Sequence, residues 1–107
     1  MTIKEITVNE LVKMKEEGED FQLIDVREPH EYDIANLEGE LIPLATIPHN
    51  IDKISKDKMV ILHCRSGARS AQAVQYLQTN FDFDNLYNLK GGILAYSDEI
   101  DPSIPKY

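Results

Sequence analysis

Short apolar runs alternate with helical spacings along the chain. IKEI at 3–6 predicts a first strand. Thr7 followed by Glu10 fits a capping box, opening an amphipathic helix with Val8, Leu11, Val12 and Met14 inward and Gly18 as its stop. FQLIDV at 21–26 reads as a buried strand between Asp20 and Arg27-Glu28-Pro29. Pro29 suits the first turn of a short helix through His30, Glu31 and Tyr32. LIPLA at 41–45 reads as an edge strand, since Pro43 has no N–H for a ladder, and 47–54 as one or two helical turns. MVILH at 59–63, almost wholly apolar, is expected at the centre of a sheet covered on both faces. A helix is expected from about Ser70, with Ala71, Ala73, Val74, Leu77 and Phe81 inward. NLYNL at 85–89 predicts a last strand, and Gly91-Gly92 leads into a terminal helical segment.

Strands alternating with helices predict an α/β fold: a small, mostly parallel sheet flanked by helices. Ligands of such sheets gather at the carboxyl ends of the strands. Asp25 and Cys64 each lie at or just beyond the end of a strong apolar run, so both are expected on that side. A length of 107 residues and a hydrophobic fraction of 42% fit a single domain over 1–107.

Eleven Lys and Arg against nineteen Asp and Glu give a net charge of −8, which argues against a nucleic-acid-binding face. The N-terminal segment has no long apolar core, and no apolar run is long enough to span a bilayer. A cytoplasmic location with no membrane partner is therefore expected. One cysteine allows no internal disulfide, and His30, His49, His63 and Cys64 have no zinc spacing, so neither a metal nor a cofactor is expected.

The chemistry concentrates in VILHCRSGARS, where two arginines flank the one cysteine of an acidic chain. A strand running into Cys64, then a turn, then a helix start points successive backbone N–H groups inward and makes an anion site. The same groups favour a thiolate. A thiolate there can attack the outer sulfur of a dianion such as thiosulfate, release sulfite and keep a persulfide. His63 precedes the cysteine on the strand, and two-residue alternation turns it to the opposite face, away from a role as direct base. Arg65 is expected at the mouth. Arg69, at the loop–helix junction, is expected to hold the turn through its carbonyls or the carboxylates near Asp25. Ser66 and Ser70 can donate hydroxyl hydrogen bonds, and Gly67 relieves crowding in the turn.

IDVREPHEY at 24–32, IANLEGELIPL at 34–44, VILHCRSGARS at 60–70 and NLKGGILAYSDEIDPSIPKY at 88–107 together resemble the single-domain members of the rhodanese-like sulfurtransferase family. The resemblance covers most of the chain in the family's order. It implies that Cys64 carries the sulfur and that Arg65, Ser66, Gly67, Ala68 and Arg69 form its cradle. Asp25, Arg27 and Ser70 are implied as supporting residues. The implied partners are a small anionic sulfur donor and an acceptor: cyanide, a small thiol or a sulfur-acceptor protein. The chain departs from the family at Asn36-Leu37-Glu38-Gly39-Glu40, where many relatives carry a His-Ile-Pro-Gly-Ala-like segment. It departs again at Tyr96, where many have Trp. The first is expected to alter the mouth of the site, the second only aromatic packing.

Cysteine phosphatases and arsenate reductases also hold a thiolate in an anion-binding turn. Their loops carry a longer spacer than the four residues between Cys64 and Arg69, as three equatorial phosphoryl oxygens demand. A thiol–disulfide oxidoreductase lacks its second cysteine here. A non-catalytic interaction or sulfur-relay module is the remaining alternative.

Overall fold

In the computed structural model, which describes residues 2–107, Thr7 ends strand β1 (Glu5–Ile6) and caps helix α1 (Val8–Glu16). Its hydroxyl accepts from the Glu10 N–H at 3.1 Å, while the Glu10 carboxylate accepts from the Thr7 N–H at 2.9 Å, so two helix-start donors are satisfied reciprocally. Val8, Leu11 and Met14 form the buried stripe, and Val12 is only half-buried. There follow β2 (Phe21–Asp25), α2 (Pro29–Ile34) and β3 (Glu40–Leu41). Two 3-10 segments (Leu44–His49 and Ile51–Lys53) lead to β4 (Met59–His63), α3 (Ala68–Phe81), β5 (Leu86–Leu89) and α4 (Gly92–Glu99).

Two expectations are corrected. The edge strand is Glu40–Leu41 rather than 41–45. Ile42 and Leu44, on either side of Pro43, still donate to the Asp25 and Val26 carbonyls at 2.9 and 3.0 Å, but from Leu44 the chain winds into a 3-10 helix with Pro43 at its N-cap. Helix α3 begins at Ala68 rather than near Ser70, because Gly67, at φ +111°, already makes the turn from loop to helix. Ser70 is thereby brought into the first helical turn and fully buried, whereas Ala71 and Phe81 are only half-buried.

The strand order is β1-β5-β4-β2-β3, with every pairing parallel. This is the α/β sheet expected, with helices on both faces. Val60 and Leu62 of β4 pack with Ala73, Val74 and Leu77 of α3, and Cys64 continues that side. Ile61 faces the other way, into the cluster built on Leu11 of α1 and Ile93 of α4. After β2 the chain moves outward to β3, and it then returns past β2 to β4 and β5. The strand order therefore reverses between β2 and β4, and the carboxyl ends at that reversal are Asp25 and His63, with Cys64 next. No helix of the described residues is long and apolar enough to cross a membrane.

Candidate active site

The loop after β4 is held from outside by α4. The N–H of Ile93 donates to the Cys64 carbonyl at 3.0 Å and that of Leu94 to the Arg65 carbonyl at 3.1 Å. Such close approach requires glycine at 92: a Cβ there would lie 2.5 Å from both carbonyl oxygens, at a φ of +59°. With these carbonyls committed to α4, the following N–H groups are left to point inward. The Gly67 N–H donates to Cys64 Sγ at 3.1 Å, and the Ser70 hydroxyl lies 3.4 Å from the same sulfur.

Cys64 is 1% exposed. Burial alone pushes its thiol up. The Ser70 hydroxyl and the N–H groups of Ser70, Gly67 and Ser66 outweigh burial, so the thiol lies below its ordinary value. Arg65, Ser66 and Ala68 are exposed on the rim.

Two ion pairs brace the surroundings. Arg27 and Asp25 are both fully buried, joined by Nη2–Oδ2 at 2.7 Å and Nε–Oδ1 at 2.9 Å. Arg27 also donates to the Ala35 carbonyl at 2.7 Å, the Tyr107 hydroxyl at 2.8 Å and the Glu31 carbonyl at 3.4 Å. Arg69 holds Glu31 in a two-point pair at 2.7 and 2.8 Å. Of the two partners expected, Arg69 therefore takes a carboxylate near Asp25, that of Glu31 on α2, rather than the turn's carbonyls. Glu31 also accepts from the Glu28 N–H at 3.0 Å and the Tyr107 hydroxyl at 2.8 Å. With Arg69 as its strongest partner, its carboxyl is pulled from 4.5 down to about 2. Arg65 has no carboxylate partner among the described residues, and its guanidinium lies 5.1 Å over the Tyr107 ring.

A model of the rhodanese-like domain matches residues 7–99. The chain belongs to the rhodanese-like domain family. A sulfurtransferase of Allochromatium vinosum is 36% identical, the match covering 89% of each chain. The crystal structure of a rhodanese-like domain protein from Staphylococcus aureus superposes with a TM-score of 0.82 at 33% identity, covering 92% of this chain and 95% of that one. A chloroplastic rhodanese-like/PpiC domain-containing protein of Arabidopsis thaliana is 40% identical over 98% of this chain, which spans 38% of that protein's length.

Within this rhodanese-like framework, residues 64–69, expected to form the cradle, and the supporting Ser70 come together as one loop and helix start. Asp25 and Arg27 stand one step away. Asp25 pairs in register with His63 and shares its face of the sheet, opposite Cys64, so its link to the site runs through Arg27 and Tyr107. Asn36, Leu37 and Glu38 line a hollow with Tyr96, Lys15, Asp101 and Ile104, so the two departures from the family pattern meet each other. The first also bonds α2, which carries Glu31: Asn36 Nδ2 donates to the Tyr32 carbonyl at 3.2 Å and the Tyr32 hydroxyl donates to the Gly39 carbonyl at 3.1 Å.

Glu31, Asn88 and Tyr107 are site residues that sequence reasoning missed. A signal existed for Asn88. Two-residue alternation puts it on the face of buried Leu86, where a polar side chain demands a partner. No comparable pattern marked Glu31 or Tyr107.

His63 is fully buried on the face opposite Cys64, as its position predicted. Neither ring nitrogen has a partner, and Nε2 lies 3.6 Å from Asp25 Oδ2. Burial pushes the imidazole from 6.5 down to about 4, so it is neutral at pH 7. Between these values the unfolded chain takes up a proton that the folded chain refuses, and stability falls as the pH drops through that window. Glu31 continues the loss from 4.5 toward about 2, because its depressed carboxyl resists a proton that the unfolded chain accepts. Urea midpoints measured from pH 7 to 3 should decline throughout. His63→Leu should flatten the decline above about pH 4.5 and leave the lower part unchanged. An unaltered profile in the variant would remove His63 as the cause.

Proposed function

We propose that this chain is a sulfurtransferase that accepts sulfane sulfur on Cys64 as a persulfide and passes it to a thiophilic acceptor. The observation that carries the reading is the sulfur of the one cysteine facing inward-turned N–H groups, Gly67 at 3.1 Å, inside a loop whose carbonyls are committed elsewhere. The similarity to the Allochromatium sulfurtransferase supports it.

With thiosulfate as donor, the Cys64 thiolate attacks the outer sulfur. A new S–S bond forms, the old one breaks, and its electron pair leaves on sulfite. The terminal persulfide sulfur keeps one negative charge, and the loop amides and the Ser70 hydroxyl that favoured the thiolate stabilise it too. An acceptor such as cyanide, a small thiol or a thiol-bearing acceptor protein then attacks the terminal sulfur, and the Cys64 thiolate departs. A site in the cytoplasm, where free thiols persist, fits this cycle. Intact mass after incubation with thiosulfate should rise by about 32 Da, reducibly and at Cys64. A reactive thiol that acquires no sulfur would overturn thiosulfate as donor.

The two loop arginines divide the work. Arg65, exposed and without a carboxylate partner, supplies the charge an anionic donor meets first, whereas Arg69 is already neutralised by Glu31. Arg65→Ala should lower kcat/KM for thiosulfate about tenfold, mostly through KM, with stability changed by less than about 0.5 kcal/mol. Arg69→Ala leaves Glu31 without its strongest partner and should cost about 1–2 kcal/mol. Thermal denaturation beside donor kinetics checks both, and the opposite pattern would exchange the roles.

A further inference from the structure

The Ser70 hydroxyl has one hydrogen and three acceptors in reach: Asn88 Oδ1 at 2.5 Å, the Gly67 carbonyl at 3.2 Å and Cys64 Sγ at 3.4 Å. It can donate to one of them at a time. Asn88 is 3% exposed and lies on β5, in register with Leu62 of β4. The orientation of its amide follows from the bonds around it. Nδ2 donates to the Gly67 carbonyl at 3.2 Å, and the flipped amide would set two acceptor oxygens against each other there. Oδ1 is therefore the end turned to Ser70. The distances give Asn88 the Ser70 proton while Cys64 is a neutral thiol, because a thiol is a weak acceptor. A negatively charged sulfur is a far stronger acceptor.

We propose that Asn88 is a positioning residue for the sulfur chemistry: it holds the Ser70 proton while Cys64 is a thiol and yields it when the sulfur becomes negative. Asn88 does not touch the sulfur and acts through Ser70. Forming the thiolate then breaks the Ser70–Asn88 bond and leaves Oδ1 without its donor, a cost that raises the pH at which Cys64 ionises. The persulfide form of this statement rests on the sulfurtransferase reading, but the thiol form does not. The charged groups of the loop are Arg69 on α3, which is held by Glu31 and interacts electrostatically with Cys64, and Arg65 on the rim. Both are common to every variant below.

The test is the pH dependence of Cys64 alkylation by iodoacetamide, free of ambiguity in a chain with one cysteine. Asn88→Ala removes the competing acceptor, so the alkylation midpoint should fall by about half to one pH unit. In a Ser70→Ala background the same substitution should leave the midpoint unmoved. Asn88→Leu repeats the comparison with the buried volume kept. A purely structural Asn88 would lower the melting temperature without moving the midpoint. That result overturns the proposal, as does an equal shift with and without Ser70 or an upward shift. No step requires sulfur transfer. A protein that takes no sulfur from thiosulfate yet shows the Ser70-dependent shift would overturn the donor and leave the role of Asn88 standing.

Discussion

Cys64→Ser yields a folded protein that carries no sulfur, the largest functional effect expected of any single substitution. The Gly67 N–H and the Ser70 hydroxyl remain to receive the serine oxygen, so the loop keeps its bonds. A serine hydroxyl gains too little from those donors to ionise near neutral pH, and the nucleophile is lost. Thiocyanate formation from thiosulfate and cyanide should fall to the uncatalysed background, with no mass increase after incubation with thiosulfate. Cys64→Ala should be equally inactive but less stable. The side chain is 1% exposed and belongs to the cluster between β4 and α3, so removing it costs about 1 kcal/mol. Thiocyanate production above background in either purified variant would reject Cys64 as the obligatory carrier.

The largest loss of stability is expected from Arg27→Met. Its guanidinium and the Asp25 carboxylate are wholly withdrawn from water, and removing one partner leaves the other's charge buried without compensation. Such losses run to about 3–5 kcal/mol, a large part of the about 5–15 kcal/mol that holds a domain folded. The Ala35 carbonyl and the Tyr107 hydroxyl lose a donor at the same time. Replacing both charges, as Asp25→Leu with Arg27→Met, removes the orphaned carboxylate and should recover much of the loss. Urea denaturation of the two single variants and the double variant checks this. Purely additive losses would show that the two charges do not depend on each other.

Local chemistry made much of the fold legible. The Thr7–Glu10 box set the start of α1 through bonds spanning three residues, and the apolar run at 59–63 became the central strand with unchanged bounds. Alternation along that strand set His63 and Cys64 on opposite faces. Where two local rules competed, the pattern was less reliable. An apolar segment around Pro43 reads as a short strand, yet only two of its residues pair with β2, and Pro43 becomes the N-cap of a 3-10 segment, a position that tolerates a missing N–H.

The sequence by itself located the proposed nucleophile Cys64, the loop that holds it and the alternation of strands and helices, because each rests on residues close together in the chain. Tertiary structure alone decided what surrounds the sulfur. Glu31 meets Arg69 across 38 positions, Ser70 meets Asn88 across 18, and Tyr107 meets Glu31 across 76. Hydrophobic periodicity carries no information about such pairs, since it reports which face of an element is buried and not what lies opposite. The partners were chosen by the reversal of strand order between β2 and β4, which brings α2, the start of α3 and the chain's last residues to one end of the sheet. There burial demands that each polar group find a bond.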